Sequence, residues 1–308
     1  MRQRILAIVG AVALVVVALV VRGIVTDSNG ASGTGGGKPV VACTTDLMAV
    51  CQALADSGAI AADPPTLELA DAATATVDNR PLDGWITWDP APGIANLDAE
   101  TGGSSRPWST PQVLGASPLG IASLTAVSPS LPSGCSFSPV VWDCVARAAI
   151  DEQTPIGIGT GITAGSLARL YPLARALVPK EGNFRDIEAA GLKAIIESTN
   201  VAQADFPNQA RTLVTQRGAL DILVGPSAGL TAIKGTRTAV APQSADTVDA
   251  TVVLVGREGS NVASVAKAAT ASGTVQALRD AGVVPGTGRL APEGRAGELY
   301  AVRDKVDS

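Results

Sequence analysis

The sequence predicts an α/β protein: two mostly parallel sheets flanked by helices, after one N-terminal apolar helix. Three observations predict it. Strand-turn-helix units recur along the chain, at Val40 to Gly58, Thr154 to Leu177 and Asp221 to Gly229. Apolar residues make up 46% of the 308 residues and aromatics only 3%, which asks for an aliphatic core large enough for one big or two medium domains. Ser, Thr and Gly gather where each strand gives way to a helix.

Arg2 and Arg4 precede an apolar run from Ile5 to Val21, followed by Arg22 and a short coda, Gly23 to Val25. A basic flank before a run of this length reads as a signal anchor, a single transmembrane helix over residues 1–25 that holds the rest of the chain outside the cytoplasm. A cleaved signal peptide followed by secretion is the alternative. Val40-Val41-Ala42-Cys43 has the form of a lipoprotein cleavage box, but a Gly-rich segment separates it from the apolar run that such a box abuts. Residues 26–38, which include DSNGASGTGGGK, read as a flexible tether.

The first folded unit is the clearest. Val40, Val41 and Ala42 form an apolar run suited to a buried strand, and Thr44, Thr45 and Asp46 follow as candidate helix caps. Leu47, Val50, Cys51 and Leu54 then recur at i, i+3, i+4 and i+7, and Gly58 supplies a left-handed stop. Such a turn collects hydroxyls and free N–H groups at the positive end of a helix, where a polar ligand or an anion is received without a charged side chain.

Further along, Thr66 to Ala70 alternates like a strand, and Leu82 to Pro90 holds another around Trp85, Ile86 and Trp88, with Asp89 at its end. Pro111 to Leu124 reads as a broken strand continuing past Pro118, which suits a crossover between domains. Beyond it, Gly165 to Leu177, Phe184 to Glu197, Pro207 to Gly218 and Asn261 to Ala281 read as helices, and Asp221 to Gly225 and Thr251 to Val255 as strands. Residues 291–308 read as a polar, loosely held tail.

Composition excludes several functions. A net charge of −5 and no basic cluster beyond the N-terminal tip argue against nucleic acid as a partner. Histidine is absent altogether, which removes Ser-His and Cys-His nucleophile pairs, the HExxH zinc site and imidazole acid-base chemistry. Gly225-Pro226-Ser227-Ala228-Gly229 matches a GxSxG nucleophile elbow without a base to serve it. Gly159-Thr160-Gly161-Ile162-Thr163-Ala164 fits a dinucleotide fingerprint, but the ribose-binding acid is missing. Ser264-Val265-Ala266-Lys267 lacks the companion motifs of an SxxK enzyme. Nothing here asks for a cofactor, a catalytic residue or a metal. The four cysteines of an exported chain read as two disulfides; three connectivities are possible, and the sequence-local one, Cys43 with Cys51 and Cys135 with Cys144, is the simplest.

Taken together, these stretches resemble the type 2 periplasmic solute-binding proteins. The likeness runs through VVACTTDL, WITWDP, VLGASPLGIAS, TPIGIGTGITAGSLARL, DILVGPSAG and TVQALRDAGVVP, and it is similar in particular to membrane-anchored forms from high-GC Gram-positive bacteria. The resemblance implies a two-lobed, non-enzymatic fold. Lobe one would comprise residues 39–124 and 238–290, and lobe two residues 125–237. It also implies ligand contacts at Thr44, Thr45, Asp46, Trp88, Asp89, Ser117, Thr160, Thr163 and Ser227 in an interlobe cleft. The implied ligand is a small polar solute or an oxyanion, although Asp46 and Asp89 would oppose a fully ionised anion. The implied partners are the membrane, an ABC permease, or a membrane protein with a von Willebrand A domain. That domain's own metal motif is absent from this chain.

Overall fold

A computed structural model describes residues 37–125, 130–135, 141–159, 162–198, 206–216, 218–233, 236–240 and 248–307. The expected N-terminal anchor and most of the tether lie outside these residues. Among the described residues no helix is long and apolar enough to cross a membrane.

In chain order the strands are β1 (Val41–Cys43), β2 (Thr76–Val77), β3 (Arg80–Pro81), β4 (Gly84–Trp88), β5 (Gln112–Leu124), β6 (Ile156–Gly157), β7 (Ile222–Pro226), β8 (Thr236–Val240), β9 (Asp249–Gly256) and β10 (Val284–Pro285). The α-helices are α1 (Met48–Asp56), α2 (Ala91–Thr101), α3 (Trp142–Asp151), α4 (Ala164–Ala176), α5 (Ala189–Glu197), α6 (Phe206–Thr215), α7 (Ser227–Thr231), α8 (Ala263–Ala268), α9 (Ser272–Asp280) and α10 (Arg295–Asp307).

An eight-stranded sheet runs β1-β4-β9-β5-β7-β6, with β8 and β10 also paired to β5. The two parallel pairs, β1 with β4 and β6 with β7, are each joined through helices, as parallel neighbours require. The other pairings in this sheet are antiparallel, so the expectation of two mostly parallel sheets is corrected to one continuous mixed sheet. The cause is β5. Its first half, Gln112 to Pro118, pairs with β9, and Leu119 to Ala122 pairs with β7. Pro118, which has no N–H to give, marks the change of partner. Each end of β5 therefore belongs to a different half of the molecule.

The opening unit forms as its residues dictate. β1 is fully buried, a short 3-10 turn over Thr45–Leu47 leads into α1, and α1 buries Val50, Cys51 and Leu54. Gly58 ends it with φ 77°. Disulfides join Cys43 to Cys51 and Cys135 to Cys144. β4 and β7 are buried along their whole length, in keeping with sequences that are apolar apart from Thr87 in β4.

Four segments depart from expectation. Phe184 to Glu197 is split by extended Ile187 and Glu188 into a 3-10 turn over Phe184–Asp186 and helix α5. Thr66 makes only an isolated bridge to Cys43, and Leu69–Thr74 turns as a 3-10 helix. Pro64 and Pro65 precede Thr66 and cannot donate to a longer ladder. Asn261 to Ala281 is divided into α8 and α9 by Ala271, whose backbone is extended (φ −69°, ψ 151°). The supposed loose tail contains α10, where Leu299 and Val302 are fully buried. Arg303 pairs with Asp98 on α2, the Tyr171 hydroxyl of α4 donates to Glu298 at 2.8 Å, and the Arg295 guanidinium lies 4.6 Å over the Tyr171 ring. Helix α10 thus straps the two halves together.

Candidate functional site

The carboxyl end of β1, an outer strand of the sheet, delivers Thr44, Thr45 and Asp46 beside the end of β4. Thr44 is buried, and its N–H donates to Ile86. Thr45 is exposed and turns away, its hydroxyl donating to Glu68 Oε1 at 2.6 Å. Asp46 points the other way. Its Oδ2 accepts a 2.6 Å hydrogen bond from the Trp88 indole and lies against Gly165 in the first turn of α4, where a Cβ would come within 2.2 Å of that oxygen. Glycine is what lets the carboxylate reach this helix terminus.

One turn further into α4 stands Arg169, only 3% exposed. Its Nη1 donates to Gln209 Oε1 at 2.9 Å and its Nε to the Gly165 carbonyl at 3.2 Å. Burial raises the Asp46 carboxyl above its ordinary range, opposed by the Arg169 charge and by the hydrogen bond from Trp88, with Glu68 adding to the rise. A positive helix end and a guanidinium are together an anion seat. Asp46 occupies it. The space left beside Trp88, Arg169, Phe206, Pro226 and Ala250 is about 10 Å³, room for one water.

The remaining expected residues divide into groups. Thr163 borders the cluster as the N-cap of α4 in a reciprocal capping box with Ser166. Ser117 and Ser227 meet each other at 3.2 Å, and the Ser117 hydroxyl accepts from the Ala228 N–H that opens α7. They adjoin the cluster through Ala250, the register partner of Ser117, and Pro226. Asp89 is not brought in. Successive strand residues face opposite ways, so Trp88 faces α4 while Asp89 faces α2 and the C-terminal segment, accepting from the Ala291 N–H. Burial raises Asp89, opposed by that hydrogen bond and by Arg295, and the residue borders a separate recess of about 210 Å³ with Asn96, Ser109 and Glu293. Thr160 lies outside the described residues.

Sequence reasoning missed Arg169, Phe206 and Gln209. A readable signal existed for the first: Arg169 is a lone charge in the otherwise uncharged run from Ala164 to Ala174, and the whole run is buried. Phe206 explains the GxSxG match. A Cβ at Gly225 or Gly229 would come within 2.4 or 2.6 Å of its ring, so the two glycines seat an aromatic side chain rather than shape a nucleophile elbow. Among the described residues no cluster of three or more Cys, Asp or Glu is placed to hold a metal.

No protein-family model and no curated protein sequence matches the chain. Solved structures do. A ferric binding protein from Campylobacter jejuni is 13% identical with TM-score 0.51, the match covering 87% of this chain and 96% of that one. A periplasmic thiamin binding protein is 10% identical with TM-score 0.49, covering 90% and 98%. The periplasmic binding protein P5PA is 12% identical with TM-score 0.47, covering 88% and 98%. At such identity the first of these likenesses speaks for architecture alone: the chain has a mixed α/β fold like that of the periplasmic binding proteins.

Proposed function

We propose that the chain is a membrane-tethered extracytoplasmic solute-binding protein that captures a small polar ligand, a carboxylate or an oxyanion, for transport or sensing. The observation that carries this reading is a helix N-terminus with a buried arginine one turn on, against which the β1 turn packs through Asp46. The lobes expected at residues 39–124 with 238–290 and at 125–237 divide within β5 instead, where it changes partners at Pro118, so that Leu119–Leu124 goes with β7 in the second lobe. Opening the lobes withdraws Asp46 from α4 and leaves the helix end and the Arg169 charge to a ligand; closing buries that ligand. The basic-flanked apolar run at residues 1–25 supports the tether, and an ABC permease is the partner that transport requires. The reading assigns no reaction to the chain.

The test is native mass spectrometry of residues 39–308 from an oxidising host, followed by thermal melts against small carboxylates, oxyanions, sugars and amino acids. A bound ligand raises the melting temperature with concentration as RT ln(1 + [L]/Kd). No co-purified molecule and no shift across the panel would overturn it.

The filled cleft favours a second reading, in which Asp46 has replaced the ligand and the fold docks a membrane partner such as a von Willebrand A protein. Recovery of one such partner from detergent extracts, by a protein that binds no solute, separates the two.

A further inference from the structure

The two disulfides stand in different chemical surroundings. Cys43 and Cys51 are both 0% exposed, packed between β1 and α1. Cys135 is only half-buried, and its partner Cys144, 5% exposed, is the third residue of α3. The guanidinium of Arg147, one turn on, donates from Nη2 to Cys135 Sγ at 3.3 Å and reaches Cys144 Sγ at 4.0 Å. Asp143 competes for the same guanidinium, accepting from Arg147 Nε at 3.0 Å.

We propose that Cys135–Cys144 is a thiol-exchange site, reducible by an external dithiol, with Arg147 as the group that stabilises the departing sulfur. Cys135 is the more exposed of the two residues, so its sulfur takes the attack. An incoming thiolate bonds to Cys135 Sγ, the Cys135–Cys144 bond breaks, and its electron pair leaves on Cys144 Sγ. That thiolate forms at the positive end of α3 beside a guanidinium, the two surroundings that best stabilise thiolate charge. The second thiol of the dithiol, deprotonated, then attacks its own sulfur in the mixed disulfide and expels Cys135. The dithiol is oxidised to a disulfide, the cystine is reduced to two cysteines, and two electrons and two protons pass to the protein. Cys43–Cys51 has neither an exposed sulfur nor a recorded cation contact, and serves as the internal reference.

The site is independent of solute binding, and its test needs no ligand. The oxidised protein is treated with dithiothreitol at neutral pH, quenched with iodoacetamide at intervals, and mapped by mass. Cys135 and Cys144 are expected to become alkylated at least about tenfold faster than Cys43 and Cys51, since access and leaving-group stabilisation both favour them. Arg147→Gln is expected to slow that reaction several-fold, Arg147→Lys to restore most of the rate, and Asp143→Asn, which releases the guanidinium, to quicken it. Equal rates for the two cystines, or a rate indifferent to all three substitutions, would overturn the proposal. Because Arg147→Gln and Asp143→Asn are expected to act in opposite directions, a general loosening of α3, which would quicken both, is also recognised as a refutation.

Discussion

Substituting Gly165 with alanine tests whether Asp46 really closes the cleft. In an ordinary helix the change is favourable, by up to about 1 kcal/mol, because alanine is the better helix former. Here the new methyl would stand 2.2 Å from Asp46 Oδ2 and 3.0 Å from Trp88 Nε1, well inside normal contact. The carboxylate must retreat by more than an ångström, and its 2.6 Å bond to the indole goes with it. Overpacking costs about 1–3 kcal/mol and a lost hydrogen bond to a charged group about 1.5–3 kcal/mol. With the helix gain subtracted, and some of the strain relieved by the carboxylate's own movement, the net loss is about 2 kcal/mol. At roughly 2–4 °C per kcal/mol for a domain of this order, Gly165→Ala should melt about 4–8 °C below the parent. Thermal denaturation followed by tryptophan fluorescence measures it. Asp46→Ala removes the obstacle, so adding Gly165→Ala to that background should cost at least about 1 kcal/mol less than in the parent. A variant that melts at or above the parent, or strict additivity of the two substitutions, would refute the packing described.

Acid should help this protein before it harms it. Asp46 and Asp89 are both raised above the ordinary 3.8, so from there upward the native state keeps protons the unfolded chain has released, and their contribution to stability declines as pH rises through the window. Urea midpoints taken stepwise upward from about pH 4 should fall less steeply in Asp89→Asn than in the parent. Arg303→Ala strands a mostly buried Asp98, their side chains being 16% and 23% exposed. It should cost about 1–3 kcal/mol and speed hydrogen exchange along α10, and unchanged exchange there would show that the strap is held by its apolar residues alone.

Local chemistry explains what was legible in the sequence. The strand, turn, helix and stop between Val41 and Gly58 each rest on neighbours a few residues apart, and their positions hold to within two residues. The alternation of Thr66 to Ala70 is real, since Leu67 and Leu69 are buried, yet burial pattern does not decide whether a backbone finds a ladder. Helix α10 was missed because two buried positions, Leu299 and Val302, suffice when ion pairs and Tyr171 hold the rest. The site was half visible. Turn residues such as Asp46 and Thr163 announce themselves through capping chemistry, whereas the pairing of Arg169 with Gln209 links helices 40 residues apart.

Strand β5 carries one more consequence, for the order in which the protein can be assembled. Gln112 finds its place only against Leu254, and Ile121 only against Val224 and Val240. Contacts so distant along the chain bear a large loop-closure entropy and form late. A ribosome that has released everything up to Pro226 has made the β7 partner of β5 but not the β9 partner, so the segment from Gln112 to Pro118 waits with that edge bare. Such an edge invites pairing with other chains. Until β9 is in place, the unpaired edge of Gln112 to Pro118 is the part of β5 most open to mispairing.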